Sequence, residues 1–184
     1  MNDRTLVESC APTLAGLKTA SLVNIDYRDL ESCHRAVSAL NRRFSQKGLR
    51  VIPMRYRAGR ALLYIYRPAL LKKDMQDQDM RRMLCDMGYR CPNANACVAQ
   101  LAKRMRTEEE LPHEVGLFLG YPAEDVRGFM YHKYEGCTCV GDWRVYGDAH
   151  EALKKFARFK KCREIYKHLF RQGRSADALT VRTA

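Results

Sequence analysis

Between Asp148 and Gly173 the apolar residues Ala152, Phe156, Phe159, Cys162, Tyr166, Leu169 and Phe170 recur at helical spacing. Lys154, Arg158, Lys160, Lys161 and Lys167 fall off that stripe. The pattern predicts a long helix, started by Asp148 with Glu151 three positions on and stopped at Gly173, with Ser175 capping a last short turn. At the other end, residues 3–9 read as a helix, and Pro12 suits the first turn of a second short helix ending near Gly16. Ser21 to Ile25 reads as a strand. Asp26 is placed to cap a helix over roughly 27–45, with Asp29 in its first turn and Gly48 at its end.

The clearest hairpin follows. Arg50 to Arg57 and Arg60 to Arg67 flank Ala58-Gly59, a two-residue turn with the glycine such turns favour. Strict alternation puts Ile52, Met54, Tyr56, Ala61, Leu63 and Ile65 on a core face. It leaves Arg55, Arg57, Arg60, Tyr64 and Tyr66 on a basic, aromatic outer face. Beyond Pro68, helices are predicted at roughly 69–74, 77–87 and 94–106, followed by an acidic connector over 107–112. Val115 to Leu119 reads as a short buried strand bounded by Gly120. Pro122 opens a helix to about residue 132, residues 133–141 form a loop, and Trp143 to Tyr146 alternates like a strand. The fold class that results is α+β: one domain over residues 1–184, with a mixed sheet of about five short strands packed with helices.

Composition narrows the setting. The 184 residues are 46% hydrophobic and 29% charged, the balance of a globular domain rather than a disordered chain. No apolar run reaches membrane-spanning length, and Asp3, Glu8 and Lys18 interrupt the N-terminal stretch where a signal sequence would lie. The expected setting is therefore cytoplasmic, without a membrane partner. Eight cysteines in that setting are expected as free thiols, metal ligands or catalytic groups. The formal net charge of +12 favours an anionic partner such as nucleic acid, phosphate groups or an acidic protein, although the charge is scattered. No cofactor is specified.

Three functional readings are open. In the first, Cys10 stands at the start of a short helix, where free backbone N–H groups favour a thiolate. His113 would act as its base and Asp142 or Asp148 as the orienting group. The plainer alternatives are a buried Cys10, a surface His113 and Asp148 as a helix cap. In the second, the thiols make a redox- or metal-responsive protein. Cys137 and Cys139 are the candidate metal ligands, although their spacing is short for a zinc knuckle; Cys85, Cys91 and Cys97 lie six apart, and no Cys-x-x-Cys occurs. In the third, Arg55, Arg57 and Arg60 contact phosphate while Tyr64 and Tyr66 stack on bases.

Two resemblances bear on these readings. The stretch His113-Glu114-Val115-Gly116-Leu117-Phe118-Leu119-Gly120 resembles the histidine strand of the NlpC/P60 papain-like cysteine peptidases, which implies a papain-like arrangement for Cys10 and His113. Glu114 is an extra residue against that pattern, and Ser9-Cys10-Ala11-Pro12 replaces the usual nucleophile motif. Over most of the chain, four segments together resemble the bacterial family catalogued as domain of unknown function 3793. They are Cys10 to Lys18, Arg60 to Pro68, Pro112 to Phe129 and Trp143 to Asp148. That likeness implies a bacterial, intracellular, one-domain protein and carries no activity with it.

Overall fold

The computed structural model describes residues 1–90 and 92–182. The chain opens with α1 (Asp3–Leu14), whose cap Asn2 accepts a hydrogen bond from the Thr5 backbone N–H. Contrary to expectation, α1 runs straight through Pro12. Proline removes a single helical N–H, and the carbonyl it would have engaged belongs to the exposed residue Glu8, which water can reach. Next come β1 (Ala20–Asp26), α2 (Leu30–Phe44), β2 (Arg50–Arg57) and β3 (Arg60–Tyr66). The cap of α2 is Asp29, in a reciprocal capping box with Ser32, rather than Asp26, which ends β1. Ala58 (φ 47°) and Gly59 (φ 77°) are both left-handed, the backbone that a tight hairpin of right-twisted strands requires.

The three strands form an antiparallel sheet in the order β1-β3-β2. Helices cover both of its faces. Val23, Val51, Ala61, Leu63 and Ile65 pack against α1 and α2. Ala20, Met54, Leu62, Tyr64 and Tyr66 pack against α3 (Pro68–Asp74), α4 (Gln78–Asp86), α5 (Ala94–Thr107) and the segment that follows. The expected basic-aromatic outer face is thereby corrected: Tyr64 and Tyr66 are buried and stacked at 4.7 Å, and the Tyr64 hydroxyl donates to the Phe118 carbonyl at 2.6 Å. A register shift between Pro53 and Arg55 breaks the strict alternation. Ile52 stands opposite Tyr64 and Tyr56 opposite Ala61, so the two lie on opposite faces. The outer edge of β2 is closed by Asn41, whose amide both donates to and accepts from the Val51 backbone at 2.8 Å.

The apolar run 115–119 is helical, not a strand. It forms α6 (Val115–Phe118), followed by α7 (Ala123–His132) and a small hairpin of β4 (Cys139–Val140) and β5 (Arg144–Val145). Gly120, at φ 80°, ends α6 with the Tyr121 N–H bonded back to the Gly116 carbonyl, a helix stop where a strand end was expected. The long α8 (Ala149–Arg171) starts at its Asp148 cap and packs on α1, and α9 (Ala176–Leu179) follows a Ser175 cap.

Two charged clamps close the structure. Arg43 of α2 grips Asp3 at 2.6 and 2.7 Å and also donates to Asp177 of α9. Arg67, fully buried, donates to the carbonyls of Thr13, Leu14, Lys47 and Val181, which ties the end of α1 to the C-terminal tail. The negative end of the α1 dipole favours a guanidinium at that point. Among the described residues no helix is long and apolar enough to cross a membrane.

Candidate functional site

An apolar concavity lies between α6, α7 and the β4–β5 hairpin. Asp125, in the first turn of α7, builds it. One carboxylate oxygen accepts the Trp143 indole N–H at 2.7 Å, and the other accepts the Tyr146 and Gly147 N–H groups at 2.7 and 2.9 Å. Three donors on one buried carboxylate lock the hairpin to the helix. Trp143 then stacks on Tyr121 at 4.8 Å and meets Phe156 edge-on at 4.5 Å. Gly128 lets Tyr146 approach, since a Cβ there would fall 2.2 Å from the tyrosine ring. Beneath, Glu114 is buried and accepts from the Tyr89 hydroxyl and the Arg104 guanidinium, both at 2.9 Å. The residue that departs from the peptidase pattern is thus a structural anchor for the segment carrying His113.

The result is a cleft of about 450 Å³ with a mainly apolar wall of Leu111, Pro112, Val115, Gly116, Leu119, Tyr121, Val126, Phe129 and Trp143. Its size is that of a small-molecule site. Its polar lining is Glu110, His113, Asp125 and Arg144. His113 is exposed and meets Phe129 edge-on at 5.2 Å. The Arg144 guanidinium lies 4.8 Å over the Tyr134 ring and donates to the Cys137 sulfur at 3.8 Å.

The residues expected to make a thiol site are not assembled into one. Because α1 continues past Pro12, Cys10 sits within the helix and has no open helix start beside it. It is fully buried, and burial pushes its thiol up to about 12, against weaker opposing effects of Ser21 and Lys18. Cys10 belongs to the core on one sheet face, whereas His113 borders a cleft built from elements on the other. Asp142 holds an arginine rather than a histidine: Arg163 donates to both of its oxygens, at 2.6 and 3.2 Å. Its charge also supports the half-buried Lys18, whose ammonium lies 5.1 Å over Tyr121 and whose pKa burial draws down. Asp148 caps α8.

The other candidates are dispersed. Cys137 and Cys139 are half-buried beside and on β4. Among the described residues, no group of three or more His, Cys, Asp or Glu side chains is placed to hold a metal ion. Cys85 is exposed and free, Cys97 is disulfide-bonded, and Cys91 lies outside the described residues. Cys162 packs in the core, where burial pushes its thiol up to about 11. With Tyr64 and Tyr66 buried, only arginines remain of the predicted phosphate-binding face. Arg55, Arg57 and Arg60 border a hollow of about 140 Å³, Arg55 donating to the Glu109 carbonyl and Arg60 paired with Asp26.

The cleft was missed from sequence because its walls come from separated segments, and because the 115–119 run fits a strand as readily as a helical turn. The single tryptophan was the available signal, since indoles are usually found buried with a polar partner. Comparison with known proteins finds no curated protein and no solved structure that matches the chain. Nothing supports the likeness of residues 113–120 to the NlpC/P60 peptidases, and that stretch lacks the strand the likeness requires. The family described as protein of unknown function (DUF3793) matches residues 6–180, nearly the whole chain, and the protein belongs to that family.

Proposed function

We propose that the protein binds a small, largely aromatic molecule in the cleft between α6, α7 and the β4–β5 hairpin. The observation that carries this reading is a preformed cavity of about 450 Å³ with aromatic walls held in place by the Asp125 hydrogen bonds. Thiol catalysis draws no support from a sulfur as buried and as weakly acidic as that of Cys10. Trp143 lines the cleft and is the only tryptophan in the chain, so it reports on occupancy. Titration with the neutral probe N-phenyl-1-naphthylamine is expected to quench Trp143 saturably, with a dissociation constant on the order of 10 µM. Phe129→Ala, which removes one aromatic wall, weakens binding roughly 2- to 10-fold. A titration with no saturable transfer from Trp143 rejects the proposal.

A second reading concerns the basic surface. On α8 the exposed cations Lys154, Lys155, Arg158, Lys160, Lys161, Lys167 and Arg171 outnumber Glu151 and Glu164. That surface favours an anionic polymer such as single-stranded nucleic acid. The α8 cations are the better candidates than the hairpin arginines, two of which already have protein partners. Binding of a labelled oligonucleotide should weaken steeply with salt and fall on Lys160/Lys161/Lys167→Ala. It should change little on Arg55/Arg57/Arg60→Ala. The reverse pattern assigns the surface to the hairpin.

A further inference from the structure

The chemistry of the cleft's ligand can be narrowed, on the premise that the cleft binds as proposed above. Among the described residues five arginines are half-buried: Arg43, Arg55, Arg104, Arg144 and Arg163. Four have oxygen partners. Arg43 pairs with Asp3 and Asp177, Arg104 with Glu108 and Glu114, and Arg163 with Asp142, while Arg55 donates to the Glu109 carbonyl. Arg144 differs. Among the described residues its guanidinium meets the Tyr134 ring and the Cys137 sulfur, a weak acceptor, and no carboxylate pairs with it.

A guanidinium carries five N–H donors in a planar fork suited to carboxylate, sulfonate or phosphate. The cation–π contact with Tyr134 leaves those donors unsatisfied. Arg144 lines a mainly apolar, aromatic cleft whose other polar residues are Glu110, His113 and Asp125. The Asp125 carboxylate in the same lining is already committed to three N–H groups. Glu110 is exposed on its connector, where the high dielectric of water weakens its charge. We infer that the cleft takes an aromatic anion, its ring against Phe129 and Trp143 and its acidic group on Arg144.

Two probes that differ only in the acidic group test this on the full chain: N-phenyl-1-naphthylamine and its sulfonated counterpart 8-anilinonaphthalene-1-sulfonate, both read by energy transfer from Trp143. The sulfonate is expected to bind roughly fivefold tighter or more at low salt. Arg144→Gln should bring the two probes level, with far-ultraviolet circular dichroism showing that the variant folds. Arg144→Lys, which keeps the charge, should retain part of the preference. Equal affinities in the wild type, or a preference that survives Arg144→Gln, overturns the anion assignment and leaves the cleft standing. Failure of both probes removes the cleft reading and this inference together.

Discussion

Replacing Arg67 with methionine tests the main structural clamp. The side chain is fully buried, and its donors serve the carbonyls of Thr13, Leu14, Lys47 and Val181 at 2.6, 2.5, 3.2 and 2.9 Å. After truncation the Thr13 and Leu14 carbonyls keep the N–H groups of Gly16 and Val181, whereas those of Lys47 and Val181 lose the guanidinium donor. Each of these part-buried acceptors costs about 1 kcal/mol, and each lost charged hydrogen bond to the buried Thr13 and Leu14 carbonyls about 1.5–3 kcal/mol. Relief of the guanidinium's desolvation, which already draws its pKa down, offsets part of this. The net expectation is a loss of about 3 kcal/mol, or roughly 6–12 °C in Tm for a chain of this size. Urea denaturation followed by far-ultraviolet circular dichroism measures it. Limited proteolysis should show the C-terminal tail, held by Arg67 and by the Val181–Leu14 backbone bond, opening first. A variant within about 0.5 kcal/mol of wild type refutes the clamp.

Three further expectations address other parts of the account. Iodoacetamide should label Cys85 first and Cys10 only on unfolding, since Cys85 is exposed and Cys10 fully buried; rapid native labelling of Cys10 contradicts the burial argument. The Arg43 hydrogen bonds hold Asp3 below its ordinary pKa, partly opposed by burial. The stabilisation from Asp3 is therefore complete above the unfolded value near ~3.9 and lost as pH falls through the lower folded value. The stability gap between wild type and Asp3→Asn should thus close under acid, and a gap that widens there has the wrong sign. Asp125→Ala strands three N–H donors and should cost about 3 kcal/mol, with Trp143 emission shifting to the red as the indole loosens; unchanged emission means the hairpin is held by something else.

Local signals in the chain were strong. The Ala58-Gly59 turn, the Asp148 cap and the apolar stripe of α8 each rest on nearest-neighbour chemistry that a sequence displays openly. The burial of Tyr64 and Tyr66 was also present, in the unbroken apolar run from Ala61 to Tyr66, which marks a strand covered on both faces. Alternation along β2 masked it, and the register shift between Pro53 and Arg55 leaves Tyr56 opposite Ala61 as expected but places Ile52 opposite Tyr64, on the other face. Pro12 misled because a proline near a helix end can lie inside the helix when the carbonyl it strands is solvated. That one misplacement moved Cys10 from an expected helix start into the core. The cleft and the solitary charge of Arg144 depend on how residues 110–129 meet residues 143–147, and no spacing rule encodes that meeting.

The central claim is an accessible aromatic cleft bordered by Trp143. With one tryptophan in the chain, a ¹H–¹⁵N spectrum contains one indole cross-peak, that of the N–H bonded to Asp125. Titration with N-phenyl-1-naphthylamine should move that peak saturably, together with the methyls of Val126 and Leu119 in the same lining. An indole peak that stays in place while shifts gather elsewhere contradicts the account.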